Sequence, residues 1–145
     1  MKVLALDVGI RRIGVAVSDP TGLLARSLVV IHRRDLASDI TEIAGLVSGE
    51  NAELVVVGLP ITLRGEIGPQ AHYTLAFIEA LRGAVETPVK TWDESYSTVA
   101  AEGALRSQGV RGRRQRERID AAAAAVILQG YLDARSQPSA KESAG

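Results

Sequence analysis

Carboxylates at the ends of apolar segments are the side chains in this chain best suited to chemistry. Asp7 closes the apolar run 2–7, and Asp93 and Glu94 follow the run 88–92. A carboxylate ending a buried strand costs desolvation free energy unless a cation meets it, although Asp7 could instead cap the turn that follows it. Because neighbours in an extended chain point in opposite directions, only one acid of the adjacent pair can face Asp7. Glu94 is the preferred candidate, with Asp93 as its substitute.

A third acid belongs to the Ala-rich segment near the C-terminal end. Asp120 is predicted in the first turn of a helix over 118–134, on a face shared with Ala124, Ile127 and Tyr131. That face is otherwise suited to packing on a sheet. An acid in a first turn also stabilises a helix by roughly 0.3 to 1 kcal/mol, so Asp120 alone would not indicate a site.

Three carboxylates from separate elements are typical of sites that hold divalent metal ions. Two ions roughly 3.5 to 4 Å apart can activate water and stabilise the leaving oxygen of a phosphodiester. The chain has no cysteine, which excludes a disulfide framework, a thiolate metal site and a cysteine nucleophile. With carboxylate oxygens as ligands, Mg²⁺ or Mn²⁺ is expected rather than zinc. These residues predict a metal-dependent nuclease with Asp7, Glu94 and Asp120 as its catalytic metal ligands.

Arginine is concentrated in one stretch, although the formal net charge of the chain is zero. Six arginines fall within residues 106–118, in a connection that also contains Gly109 and Gly112. This stretch is predicted to be a flexible loop that clamps a phosphate backbone beside Asp120, and a solvated loop is the alternative. The predicted nucleic-acid contacts are Arg11, Arg12, Arg64, Arg111, Arg113, Arg114, Arg116 and Arg118. Aromatic residues make up 3% of the chain, so base stacking is expected to contribute little.

The hydrophobic pattern predicts the elements that must position these residues. Strands are expected at 2–7, 13–19, 23–31, 53–57 and 88–92, and helices at 35–49, 70–82, 97–107 and 118–134. This is the element order of an RNase H-like domain, a three-layer α/β/α architecture with a mixed five-stranded sheet whose first three strands are antiparallel. We expect one domain over 1–135 and a disordered tail over 136–145. The apolar start is too short for a signal peptide and no run has transmembrane length, which predicts a soluble cytoplasmic protein without a membrane partner.

Residues 7–19, with the sequence DVGIRRIGVAVSD, resemble the opening motif of the YqgF/RuvX family. Three further segments are similar to motifs of that family: 57–60, the acids 93–94 ahead of 97–98, and 119–129. They follow one another in the expected order between residue 1 and about residue 135. The resemblance implies an RNase H-like nuclease that processes the 5′ end of precursor 16S rRNA, and it implies that Asp7, Glu94 and Asp120 hold metal.

Two departures from the family pattern bear on substrate binding. Ser95 stands where many members have arginine, which removes a bidentate phosphate partner beside Glu94 unless Arg64 or the arginine cluster replaces it. Arg118 stands where lysine is usual, which keeps the positive charge. Metal binding by the carboxylates does not depend on either position.

Other functions remain open at this stage. Members of the family were earlier described as Holliday junction resolvases, and a resolvase acting on branched DNA would need a homodimer to cut two strands symmetrically. The missing arginine at Ser95 motivates a non-catalytic module that binds RNA or pre-ribosomal particles. A phosphotransferase of the sugar-kinase or actin type shares the Asp-x-Gly opening, but such proteins need two related domains.

Overall fold

The computed structural model describes residues 1–59, 69–93 and 113–135, with backbone only for 69–70 and 113–119. Within these ranges the elements are β1 (Val3–Val8), β2 (Arg12–Ser18), β3 (Ala25–His32), α1 (Leu36–Gly49), β4 (Leu54–Leu59), α2 (Pro69–Ala84), β5 (Val89–Asp93) and α3 (Arg113–Arg135). The predicted helix over 97–107 and the predicted tail over 136–145 lie outside the described residues. No helix in the described part of the chain is both long and apolar enough to cross a membrane.

The five described strands form one sheet in the order β3-β2-β1-β4-β5. The pairs β1–β2 and β2–β3 are antiparallel, whereas β1–β4 and β4–β5 are parallel. Every residue of β4 is buried, as expected for a strand that is covered on both faces. The predicted mixed sheet with three antiparallel strands at its start is confirmed.

Each face of the sheet has its own hydrophobic core, because strand side chains alternate between the two faces. Leu6 of β1 packs in the core that includes Phe77 of α2, and α1 contributes to the same core. Its neighbour Ala5 packs in the core that includes Leu128 of α3. By the same alternation, Asp7 lies on the face covered by α3. This confirms the three-layer α/β/α architecture and fixes the side of the sheet on which Asp7 can act.

Helix α3 begins at Arg113, five residues before its predicted start at residue 118. From Arg113 onward the segment contains Arg, Gln and Glu with neither Gly nor Pro for several turns, and these residues favour helix. The prediction of a loop was therefore wrong for three arginines, which belong to the helix: Arg113, Arg114 and Arg116. Asp120 consequently lies beyond the first turn, which holds no acid. Stabilisation of a helix start cannot explain this aspartate.

Strand β4 extends through Leu59, although residues 58–60 were predicted to break it. The extension has a partner, because Gly58 pairs with Trp92 and Leu59 pairs with Asp93 in the parallel ladder. Asp93 is thus the last residue of β5 rather than the first residue after it. Its side-chain direction is therefore set by the alternation of the strand.

The predicted turn between β2 and β3 is confirmed, and Asp19 holds it. One carboxylate oxygen accepts hydrogen bonds from the backbone N–H groups of Leu23 and Leu24, both at 2.9 Å, and the other accepts from Thr21. Hydrogen bonding by Leu24 and Thr21 stabilises the charged form and lowers the pKa of Asp19. Gly22 completes the turn at a φ of 76°, where glycine has no Cβ penalty.

A buried ion pair joins the end of β3 to α1. Arg33 Nε donates to Asp39 Oδ2 at 3.0 Å, and the two side chains are 10% and 1% exposed. The other oxygen of Asp39 accepts from the backbone N–H of Arg34 at 3.1 Å. Arg33 also donates from Nη1 to the carbonyl oxygen of Gly9 at 3.1 Å. The pair therefore fixes the turn between β1 and β2 relative to α1.

Replacing Asp39 should destabilise the fold strongly. Asp39→Asn leaves the Arg33 guanidinium without its charge partner, and breaking a buried pair in this way costs about 3 kcal/mol or more. The matched control is Glu42→Gln, which removes an exposed pair with Arg34 at 3.6 Å and should change the free energy of unfolding by less than about 1 kcal/mol. Urea denaturation of the two variants measures the difference. Equally small losses of unfolding free energy in the two variants would show that the buried pair of Arg33 and Asp39 does not stabilise the fold.

Candidate active site

Two of the predicted acids converge at one end of the sheet. Asp7 is partly buried near the C-terminal end of β1, and its Cα partner across the antiparallel ladder is Gly14 of β2. A Cβ built on Gly14 would lie 2.2 Å from the backbone carbonyl oxygen of Asp120. Helix α3 therefore rests directly on the strand at Gly14, beside Asp7. The absence of a side chain at this glycine is what lets Asp120 reach the strand end that carries Asp7.

Arg12 connects the β1–β2 turn to α3. Its Nε donates to Asp120 Oδ2 at 2.5 Å, with the arginine and aspartate side chains 24% and 13% exposed. Arg12 and Gly14 are two residues apart in β2, so both face α3. The guanidinium stabilises the charge of a partly buried carboxylate. Arg12 was predicted from the sequence as a nucleic-acid contact, and its ion pair with Asp120 was not predicted.

The side-chain directions in β5 bear on the choice between Asp93 and Glu94 as the third acid. Trp92 packs in the α3 core and meets the ring of Tyr131 edge-on, with the centroids 5.6 Å apart. Val89 packs in the opposite core, under α1 and α2. Strand alternation therefore places Asp93 on the face of Val89, away from the face that carries Asp7. Glu94 lies outside the described residues.

The predicted nucleic-acid contacts that the structure describes lie in two places, the β1–β2 turn with the start of β2, and the start of α3. Arg11 and Arg12 belong to the turn between β1 and β2 and to the start of β2. The arginines of the α3 start belong to the helix that leads to Asp120: Arg113, Arg114, Arg116 and Arg118. The two other predicted contacts, Arg64 and Arg111, lie outside the described residues, as does Ser95, the position where the family's arginine is missing.

The chemistry of Asp7 and Asp120 fits a hard divalent cation. Both supply carboxylate oxygens, which Mg²⁺ and Mn²⁺ prefer, and both are withdrawn from full solvent exposure. The ion pair with Arg12 shows that Asp120 is already stabilised by positive charge. The described residues include no group of three His, Asp or Glu side chains arranged to hold a metal. The predicted third ligand, Glu94, lies outside the described residues.

The order of the strands and the placement of the helices define an RNase H-like fold. The structure superposes on that of T. thermophilus RuvC in complex with a Holliday junction substrate, with a TM-score of 0.59, 19% identity, and coverage of 94% of this chain and 96% of the other. The Fowlpox virus resolvase in complex with Holliday junction DNA gives a TM-score of 0.58 and 12% identity, covering 94% of this chain and all of that chain. At these identities the likeness establishes the fold.

The sequence assigns the chain within that fold. The family described as "RuvX: Holliday junction resolvase" matches residues 1–134. A relative from Desulforamulus reducens, named "Putative pre-16S rRNA nuclease", is 45% identical over 133 residues, or 92% of this chain and 97% of the relative. A relative of the same name from Chloroflexus aggregans is 47% identical over 136 residues, or 94% of this chain and 96% of the relative. The chain belongs to the RuvX family of RNase H-like nucleases, as the motif resemblance predicted.

Proposed function

We propose that this chain hydrolyses phosphodiester bonds with divalent metal held by Asp7, Glu94 and Asp120. The observation that carries the proposal is the approach of Asp120 to the strand end of Asp7 through Gly14. Two acids from elements far apart in sequence lie on one face of the sheet. Asp120 lies beyond the first turn of α3, so stabilisation of the helix start does not explain its position. Membership of a nuclease family supports the same conclusion.

Mg²⁺ or Mn²⁺ is the proposed cofactor, because the ligands are carboxylates and the chain has no thiolate. When bound, such ions activate water and stabilise the leaving oxygen of a phosphodiester. Asp7 and Asp120 supply two of the ligands. The alternation of β5 supports Glu94 over Asp93 as the third, since Asp93 faces the opposite side of the sheet.

The cations around these acids are suited to holding the phosphate backbone. Arg12 lies against Asp120, and the arginine-rich start of α3 leads toward the same residue. We assign phosphate contacts to the arginines of the turn and of this helix, together with Arg64 and Arg111. These contacts position the chain of the substrate without reading its sequence.

The proposed substrate is the 5′ end of precursor 16S rRNA, met free or within pre-ribosomal particles in the cytoplasm. Two relatives that match nearly the whole chain at 45% and 47% identity carry pre-16S rRNA in their names. Branched DNA is the second candidate, supported by the description of the family. Symmetric cleavage of a junction would require two active sites and hence a homodimer. The proposed nuclease domain comprises residues 1–135.

The test incubates the protein with a 5′-extended precursor 16S rRNA fragment and with a four-way DNA junction, each in Mg²⁺, Mn²⁺ or EDTA. We expect cleavage of the RNA that is lost in EDTA and returns when metal is restored. Cleavage of the junction alone would replace RNA by branched DNA as the substrate. Binding without cleavage of either substrate in any metal would contradict the nuclease and leave the chain a binding module.

A further inference from the structure

A cleft of about 470 Å³ lies on the side of the β1–β2 turn opposite Arg12 and Asp120. It is enclosed by that turn, the start of α1 and the first half of α2. The residues that shape it are Ile10, Arg11, Arg34, Leu36, Tyr73 and Phe77. The proposed mechanism uses none of its apolar side chains.

The cleft carries apolar surface that the fold does not bury. Ile10, Leu36 and Tyr73 are 73%, 47% and 40% exposed, and all three line this one cleft. Contiguous exposed apolar side chains mark binding surfaces more often than isolated ones do. The Tyr73 ring is also held in place, because the Arg33 guanidinium lies 5.1 Å from its centroid and donates a hydrogen bond to its hydroxyl oxygen. A fixed, partly exposed aromatic ring is a surface on which one nucleobase can stack.

The charged side chains that line the cleft are three arginines and two aspartates, which leaves one net positive charge: Arg11, Arg33, Arg34, Asp35 and Asp39. Asp35 caps α1 by accepting from the backbone N–H of Ser38 at 2.8 Å, and Asp39 is paired with Arg33. In the described part of the chain no acid forms an ion pair with the exposed Arg11. Arg34 contacts Glu42 at 3.6 Å, an exposed pair of the kind that contributes little. Hydrogen bonds from Ser38, and also the charge of Arg34, lower the pKa of Asp35. Arg11 and Arg34 therefore offer positive charge to an anion.

The cleft and the acidic site share one wall. The backbone N–H of Gly9 donates to the carbonyl oxygen of Arg12 at 2.9 Å, which closes the β1–β2 turn tightly. Within this turn, Arg12 reaches Asp120 on the α3 face while its neighbour Arg11 lines the cleft on the other face. A polynucleotide crossing the turn would meet both cations in succession.

We propose that this cleft binds one nucleotide of a single-stranded polynucleotide next to the bond that is cleaved. The base stacks on Tyr73 and contacts Ile10 and Leu36, and Arg11 and Arg34 hold its phosphate. The assignment of the bound nucleotide as substrate rests on the proposed nuclease function, whereas the binding itself does not. A single stacking residue agrees with the low aromatic content of the chain.

The test measures binding of fluorescent oligouridylate RNA and oligothymidylate DNA in EDTA, where metal-dependent cleavage cannot occur. We expect Tyr73→Ala and Arg11→Gln each to raise the Kd by about tenfold, the loss typical of one stacked base or one desolvated phosphate contact. Tyr73→Phe keeps the ring and should bind like the wild type. The control is Arg26→Gln, a 60% exposed cation on β3 near Glu50, which should change the Kd by less than about threefold.

A weaker affinity for RNA, for DNA or for both in the two cleft variants supports the proposal and identifies which chain the cleft takes. Affinities equal to the wild type in both variants, or a loss as large in Arg26→Gln, would overturn it, as would a wild type that binds neither probe. Since Arg11 is an exposed turn residue, its variant decides the question if Tyr73→Ala fails to fold. Asp7→Asn should bind both probes at least as tightly as the wild type. Cleft-dependent binding in EDTA, together with no cleavage in Mg²⁺ or Mn²⁺, would retain the cleft and overturn only the nuclease.

Discussion

Asp7→Asn should reduce the rate of RNA cleavage at saturating Mn²⁺ by at least about a hundredfold, because residues that only support metal ligands already cost about 10- to 100-fold when they are mutated. Asparagine keeps the shape of the side chain but removes the negative charge that a divalent ion requires. The free energy of unfolding should change by less than about 1.5 kcal/mol, because asparagine has nearly the volume of aspartate and Asp7 is only partly buried. Single-turnover cleavage rates and urea denaturation separate the two effects.

Asp93→Asn is the matched control for this variant. Asp93 lies at the C-terminal end of β5, at the same end of the sheet as Asp7, but its side chain lies on the opposite face from Asp7. Its cleavage rate should stay within about tenfold of the wild type. A loss of about tenfold is the smallest that is typical of residues that support metal ligands without binding the metal themselves. An Asp7→Asn protein as active as the wild type would exclude Asp7 from the catalytic site. A large loss in Asp93→Asn alone would make Asp93 the third ligand in place of Glu94.

Gly14→Ala should destabilise the protein by about 3 kcal/mol and weaken metal binding, because overpacking against a backbone atom forces the chain to shift. The added Cβ would lie 2.2 Å from the carbonyl oxygen of Asp120, a separation that real contacts do not allow. Relief requires α3 to move away from β2, and that movement carries Asp120 away from Asp7. Urea denaturation measures the first effect and a Mn²⁺ titration measures the second.

Gly45→Ala is the control for Gly14→Ala, and its expected effect on stability has the opposite sign. No atom lies within 4 Å of a Cβ built on Gly45, which is in the interior of α1 and exposed. The substitution should stabilise the protein by roughly 0.5 to 1 kcal/mol, the difference in helix propensity between glycine and alanine. Gly14→Ala and Gly45→Ala proteins of similar stability would show that α3 does not depend on the close approach at Gly14.

Local periodicity was sufficient to predict the strands and helices that the structure describes. The nearly continuous apolar sequences of β1 and β2 follow from burial on both faces of the sheet, which can be recognised in the sequence. The start of α3 was misplaced because the arginine run was interpreted as a phosphate-binding loop, whereas the helix propensities of the same residues predict a helix. That error also gave Asp120 a place in the first turn.

Contacts between distant elements could not be predicted from these local patterns. Arg12 and Asp120 are 108 residues apart in sequence, and no local pattern pairs them. Gly14 did carry a signal, since a glycine inside a strand often marks the close approach of another backbone. The interpretation of the Asp93 and Glu94 pair needed the observed register of β5, which shows that Asp93 ends the strand on the α1 and α2 face.

A titration with Mn²⁺, followed by calorimetry without any nucleic acid, tests the central claim most directly. The wild type should bind Mn²⁺, and Asp7→Asn, Glu94→Gln and Asp120→Asn should each weaken binding by at least about tenfold, since each removes a ligand. Asp93→Asn should retain the affinity of the wild type. A wild type that binds no Mn²⁺, or Asp7→Asn and Asp120→Asn proteins with unchanged affinity, would show that these carboxylates do not form a metal site.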